Sequence, residues 1–247
     1  MPKRILLLGG TGEARQLADA LVEQGHDVVT SLAGVTEEPA LPKGKVRRGG
    51  FGGEEGLLAY IKKEGVALVI DASHPFAAQI SKHAHAATAR SNVAVIRLER
   101  PAWQQPQDGK WQGFDSFDNA LASIPDGSGI FVTTGRKNLS ALAKYPALNG
   151  VVRSIEAPDM PLPAGWSLIR ERPPFDVEHE QALMRQHGIT HLISKNAGGV
   201  SMLSKIGAAN ALGIEVLMIE RPQKPSCPTY ASLTALLAAV GKQQMPR

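Results

Sequence analysis

The sequence predicts an α/β protein of two lobes, each a parallel sheet covered by helices, with a ligand cleft between them. Three observations predict it. Short apolar runs of strand length alternate with helix-length amphipathic segments as far as residue 98. An aperiodic stretch, PAWQQPQDGKWQGF, then breaks the pattern, with two Pro, two Trp and four Gln. After it the alternation resumes, and 247 residues are enough for two buried cores. Short apolar strands joined through helices imply parallel sheets buried on both faces.

The elements follow in order. RILLLGG reads as a fully buried strand and GEARQLADALVEQG as a helix ended by Gly25. VVTSLAG is a second strand, and KGKVRRGGFGG a loop leading into helix EEGLLAYIKKEG. VALVIDAS is a strand, FAAQISKHAHAATARS a helix and VAVIRLER a further strand, closing a Rossmann-like first lobe over residues 1–98. The second Rossmann-like lobe spans 99–247, with 101–114 as linker. It holds strand GIFVTTG, a short helix from Asn138, strand VVRSI and the Pro-rich loop APDMPLPAGW. Helix DVEHEQALMRQHG, strand THLISKNAG, helix SMLSKIGAANALG, strand IEVLMIERP and a last helix in YASLTALLAAVGK complete it. The two lobes share no residue-level repeat.

Composition narrows the function. Hydrophobic residues make 43% of the chain and charged residues 20%, the balance of a globular protein rather than a disordered one. Aromatic content of 5% and the lack of a like-charge run argue against nucleic acid as a partner. The net charge of +4 suits an anionic ligand or a plain solvated surface. No apolar run reaches membrane-spanning length and no signal peptide is recognisable; with a single cysteine, Cys227, the expected compartment is the cytoplasm.

Ligands of open α/β sheets bind beyond the carboxyl ends of the strands, so loops there are the candidate sites. Gly9, Gly10, Thr11 and Gly12 form the first such loop. It lacks the full G-x-G-x-x-G spacing, yet its glycines let backbone approach a pyrophosphate at a helix N-terminus. The same decapeptide, LLLGGTGEAR, is also compatible with a tight strand-to-helix turn and nothing more. Glu13 reads as a residue complementing the helix dipole. The second strand ends at Ser31, without the acid that binds an NAD ribose, and Arg47 and Arg48 follow. That combination suits the 2′-phosphate of NADP; the alternative is two surface charges. In DASHPF, Pro75 fits the first helical turn and puts Ser73 or His74 at the cap, beside a ligand edge. Asp71 can equally be structural. Thr134, Gly135, Arg136 and Lys137 in one later loop, and Lys195 and Asn196 in another, put cations and small residues where anions bind.

Other chemistries lack support. His83 and His85, two apart on a helix, face different ways, and His179-Glu180 has no second histidine at zinc spacing, so no metal is expected. Cys227 lies between prolines without a base motif. Tyr60, Tyr145 and Tyr230 are followed four residues on by Glu64, Asn149 and Thr234, so the Tyr-x-x-x-Lys pair of short-chain dehydrogenases is missing.

GGTGEAR, DASHPFA, RLERPAW, TTGRKN, SKNAGG and KIGAANALGIEVLMIERP occur in that order. Over about residues 4 to 222 the chain resembles the precorrin-6A reductase family of corrin-ring biosynthesis. GGTGEAR is weakly specific; DASHPFA followed by RLERPAW and SKNAGG is much more so. The resemblance implies NADPH between two Rossmann-like lobes and reduction of a ring double bond of a tetrapyrrole, giving precorrin-6B. It implies His74 or water as proton source. Arg136, Lys137, Lys195 and Lys205 become contacts for the anionic groups of cofactor and substrate, with Ser73, Thr134, Gly135, Arg136 and Lys137 assigned to the cofactor and Lys195, Asn196 and Lys205 to the substrate. A cobalt-bearing substrate is the alternative within the family, and a non-catalytic nucleotide or anion binder the alternative outside it. Contacts with neighbouring pathway enzymes are left open.

Overall fold

The structure, a computed structural model, describes residues 2–33, 41–200 and 202–241. Gly34, Ser201 and Lys242, at the ends of three expected elements, lie outside the described residues.

The chain opens with β1 (Arg4–Leu8) and α1 (Gly12–Glu23). Helix α1 starts where it does because the Thr11 hydroxyl accepts the Ala14 N–H at 3.0 Å. Its buried residues Ala14, Leu17, Ala18 and Leu21 fall at helical spacing on one face. Then come β2 (Asp27–Leu32), β3 (Lys45–Arg48), α2 (Gly53–Glu64), β4 (Leu68–Asp71), α3 (Ala78–Ser91) and β5 (Ala94–Leu98). The next stretch holds β6 (Trp111–Phe114), α4 (Phe117–Ala122), β7 (Gly129–Val132), a 3-10 helix (Leu139–Lys144), β8 (Asn149–Ser154) and β9 (Trp166–Arg170). It continues with α5 (Val177–Gln186), β10 (His191–Lys195), α6 (Ser204–Ala211) and β11 (Glu215–Ile219), and the chain closes with β12 (Thr229–Tyr230) and α7 (Leu233–Gly241).

These strands form two six-stranded parallel sheets, ordered β12-β5-β4-β1-β2-β3 and β6-β11-β10-β7-β8-β9. In each, a central strand is followed by two strands to one side before the chain returns to its other side. The first unit comprises Met1–Pro101 and Pro222–Arg247, the second Ala102–Arg221. This differs from the boundary expected at 98–99. The reason is β12, which pairs with β5 through Thr229↔Arg97 and Tyr230↔Leu98, while Leu236 and Val240 of α7 join the core around Ile5, Leu7 and Leu17. On the other face of the first sheet, Leu6 and Leu8 pack with Leu57 and Ile61 of α2 and Ala84 and Ala87 of α3. The second core gathers Phe131, Val151, Leu192 and Met218 against Leu183 and Met184 of α5 and Ile206 and Ala209 of α6.

Two segments read as loop or linker contain strands, and a third strand lies in a stretch assigned no element. KGKVRRGGFGG holds β3, in register with β2 from Val29↔Lys45 to Leu32↔Arg48. The linker ends in β6, paired with β11 from Val216↔Trp111 to Ile219↔Phe114. Strand β9, beyond the Pro-rich loop, pairs with β8 from Gly150↔Trp166 to Ser154↔Arg170. All three are sheet edges, where half-exposed positions carry polar residues and the apolar run that marks a buried strand is lost.

Candidate functional site

In each sheet the point where the chain reverses direction leaves a crevice beyond the strand ends. In the first unit that point lies between β1 and β4. Gly9 donates its N–H to the Ser31 carbonyl at 2.9 Å, so the turn lies flat on the end of β2. A Cβ on Gly9 would sit 2.9 Å from the Thr30 side chain, so a larger residue would push the turn away. Gly10 has φ +112°, a conformation that favours glycine. Added Cβ atoms on Gly10 and Gly12 would meet nothing within 4 Å, which leaves the backbone open to a ligand. Thr11 both caps α1 and donates to the Ala72 carbonyl at 3.2 Å, joining the β1 and β4 loops. Thr11, Glu13, Ser73, Pro75, Glu99 and Arg100 line a small polar cleft here. Glu13 is ion-paired with Arg100, a partner that its reading as a dipole-complementing residue did not include.

Asp71, 1% exposed, anchors the β4 loop. Its Oδ1 accepts the Ser73 hydroxyl at 2.6 Å and the Ser73 N–H at 3.2 Å; its Oδ2 accepts Ser81 at 2.7 Å and Arg97 Nε at 3.1 Å. Burial alone would raise its pKa, but the Ser73 and Ser81 hydrogen bonds, the charge of Lys224 and the Arg97 bond outweigh that. The carboxyl is held below its ordinary range. Ser73 is therefore fixed by Asp71 rather than standing as a helix cap. Pro75 is not in the first helical turn either. His74 O accepts the Ala77 N–H at 2.8 Å, closing a turn with Pro75 at its second position, and α3 begins only at Ala78 without a side-chain cap. The His74 ring is set by this turn, its Nδ1 accepting the Phe76 N–H at 3.2 Å. Lys224, from the segment leading to β12, donates to Glu99 at 2.8 Å and to the His74 carbonyl at 3.4 Å. Sequence reasoning passed over Ser81, Arg97, Glu99 and Lys224. The alternation of RLER was the one available signal, and Lys224 in its Pro-rich segment offered none.

Ser31 and Arg47 do come together, directly opposite in the β2–β3 register. Arg47 Nη1 donates to the Ser31 hydroxyl at 2.9 Å and to the Gly49 carbonyl at 3.0 Å, and Nη2 to the Gly50 carbonyl at 3.0 Å. Its guanidinium lies 3.7 Å over the Phe51 ring, a cation–π stack that holds the plane. Arg48 is exposed and, as the next strand residue, points to the opposite face.

In the second unit the reversal lies between β7 and β10. Lys195, the last residue of β10, donates to the Thr134 carbonyl at 2.8 Å. Burial, with the charge of Lys137 adding to it, lowers the Lys195 pKa from the ordinary lysine value. Gly135 has φ +81°, and beyond it Arg136 bonds Asp159 at 3.2 Å while Lys137 is exposed. Thr134, Arg136, Lys137 and Lys195 are thus one neighbourhood. Asn196 is 4% exposed, and its amide is engaged internally: Oδ1 accepts the Trp103 N–H at 2.8 Å and Nδ2 donates to the Trp103 carbonyl and Glu220. Lys205, 3% exposed, keeps different company again. Its ammonium lies 5.6 Å over the Trp103 ring, and burial first, then Arg153, push its pKa down to about 7 against the pull of Glu180. Arg153 and Glu180 form a buried pair at 2.7 Å. Burial pushes the Cys227 thiol up, away from nucleophile chemistry. No group of three or more metal-ligating side chains exists among the described residues, and no described helix is long and apolar enough to cross a membrane.

Comparison with known proteins decides what such a pair of crevices belongs to. The family model for precorrin-6x reductase CbiJ/CobK matches residues 4–240. The chain belongs to that family. It is an oxidoreductase that reduces a ring carbon–carbon double bond of precorrin-6A in cobalamin biosynthesis. A precorrin-6A reductase of Rhodococcus erythropolis is 44% identical over 96% of this chain and 97% of its own. A cobalt-precorrin-6A reductase of Priestia megaterium is 30% identical over 97% of this chain and 98% of its own. The solved structure of a CobK precorrin-6A reductase superposes with a TM-score of 0.91 at 37% identity, covering 99% of both chains.

Proposed function

We propose that this reductase uses NADPH, held by the β1–β4 switch point of the first unit, and acts on the metal-free macrocycle. The observation that carries the cofactor reading is Arg47 fixed beside Ser31, where an NAD site would place an acid. The glycine turn fits a dinucleotide: Gly10 and Gly12 leave the backbone uncovered, and α1 is twelve residues long, enough for its free N–H groups to favour pyrophosphate. NADPH, when bound, supplies the hydride. The chain's residues do the rest. The guanidinium of Arg47 pairs with the 2′-phosphate, its plane set by Phe51. Ser73, locked by Asp71, presents a fixed edge to the cofactor. His74 or a water delivers the proton that the reduced ring requires. Because Nδ1 accepts the Phe76 N–H, the neutral imidazole carries its proton on Nε2. The metal-free substrate is favoured by identity, 44% to a relative named for precorrin-6A against 30% to one named for the cobalt form.

The test is one absorbance assay of cofactor oxidation with NADPH and NADH, each against metal-free and cobalt-bearing precorrin-6A. NADPH with the metal-free ring is expected to give the highest kcat/KM. Equal rates with NADH would overturn the Arg47 reading, and preference for the cobalt ring would move the chain to the other substrate.

A further inference from the structure

We infer that the β7–β10 switch point of the second unit is an anion subsite for a carboxylate of the precorrin macrocycle, not for a phosphate of the cofactor. Three observations carry this. The sheet order leaves a crevice between β7 and β10 like that between β1 and β4. Lys195 and Lys137 are close enough for the charge of one to depress the pKa of the other, and Arg136 belongs to the same loop. Its carboxylate partner, Asp159, is 85% exposed, which leaves that pair screened and the neighbourhood positive. The Thr134 hydroxyl is buried, the residue 7% exposed, and has no hydrogen-bond partner, although an unmade buried bond is costly. A carboxylate accepts hydrogen bonds readily, and an ammonium and a hydroxyl beside it satisfy both of its oxygens.

A phosphate fits the second loop less well than the first. The β7 turn carries Thr133 and Thr134 where the β1 turn carries Gly9 and Gly10, so its backbone is covered by side chains. It leads into a 3-10 helix of six residues rather than a twelve-residue α-helix. Recognition by side-chain cations suits the acetate and propionate groups of the macrocycle. This assignment rests on the reductase reading above.

Equilibrium binding of NADPH, read by its fluorescence, and of precorrin-6A, read by its absorbance, tests it on full-length Lys195→Gln, Thr134→Val and Lys137→Gln proteins. Lys195→Gln is expected to weaken precorrin-6A by about tenfold or more, as loss of a charge-assisted bond does, and Thr134→Val by about threefold. NADPH affinity stays within about twofold in both, because neither residue meets the cofactor. Weakened NADPH with unchanged precorrin-6A would assign the loop to the cofactor phosphate and overturn the inference. Unchanged affinity for both would make the cluster internal and overturn it equally. Should Lys195→Gln lose its cooperative melt, the exposed Lys137→Gln decides. Its precorrin-6A affinity should fall at low salt and recover at high salt, and no change at low salt refutes the subsite. A wild-type protein that binds precorrin-6A but not NADPH would instead sink the cofactor reading and leave the carboxylate result standing.

Discussion

The two sheets have the same strand order around their central strands, yet they furnish the switch point in opposite ways. In the first unit the turn after β1 is stripped to glycine, and the link across the crevice is a neutral hydroxyl, Thr11, bonded to the Ala72 carbonyl. In the second, the turn after β7 keeps its side chains, and the link is an ammonium, Lys195, on the Thr134 carbonyl. The buried interiors diverge too. Asp71 in the first unit is saturated by Ser73, Ser81 and Arg97, whereas the Arg153–Glu180 pair in the second leaves Arg153 Nη1 and Glu180 Oε2 without hydrogen bonds. On the proposed reading, one topology supports two kinds of recognition: backbone exposed for a pyrophosphate, and side-chain charge for carboxylates. Topology sets where ligands bind, and the residues at two loops set which ligands.

The largest effect is expected where the first unit depends on bare backbone. Gly12 has an ordinary φ and open space around an added Cβ, and valine is no poorer a helix former than glycine, so Gly12→Val leaves the fold intact. It should reduce NADPH affinity by about 100-fold or more, since the side chain enters the space reserved for pyrophosphate. A cooperative melt with unchanged NADPH affinity would reduce the β1 turn to a plain strand-to-helix connection and erase the contrast with β7.

His74→Asn comes next. Asparagine retains an oxygen that can accept the Phe76 N–H, but it has no titratable proton. Loss of a proton donor should lower kcat by about 100-fold with little change in melting temperature. A kcat within about threefold of wild type would assign the proton to water, far below the effect of a true general acid.

The two arginines of β3 sharpen the cofactor half of the comparison. Arg47→Ala should weaken NADPH by about 10- to 100-fold while leaving NADH untouched, the scale of a lost hydrogen bond to a charged group. Arg48→Ala, on the opposite strand face, should change neither. Equal losses at the two positions, or none at Arg47, would refute the clamp.

The smallest effect on activity, and a visible one on stability, is expected at Lys205. Its pKa in the folded protein is about 7 against 10.5 for an ordinary lysine, so between those values the unfolded chain holds a proton that the folded one lacks. Stability at this site therefore rises with pH from about 7 to 10.5 and is lost as pH falls back. Lys205→Met should flatten that rise in a series of thermal melts and stabilise the protein by about 1–4 kcal/mol near pH 7, since it removes a buried charge and keeps the Arg153–Glu180 pair. Unchanged KM for precorrin-6A would confirm an internal charge; a raised KM would return Lys205 to the substrate.

Much of this was legible along the chain. LLLGG, VALVIDAS and GIFVTTG are strands because six-stranded parallel sheets bury both faces, and that demands contiguous apolar residues a reader can see. The glycines after β1 and the Ser31–Arg47 combination were legible for the same reason: backbone exposure and charge type are properties of residues. Only the tertiary structure decided the rest. The edge strands β3, β6 and β9 are set by the partner they pair with, not by their own composition. Strand β12 returned to the first sheet because β5 offered an unpaired edge, which no local pattern records. Arg97 became an Asp71 partner and Asn196 a brace for Trp103 because hydrogen bonds between residues 26 and 93 apart in sequence arise only when folding brings them together. Lys205 looks like any helix lysine in sequence; the burial and the Arg153 charge that depress its pKa, and the Trp103 ring beside its ammonium, come from other segments of the chain. Periodicity and composition report on what each segment buries, and long-range packing alone determines what that segment meets.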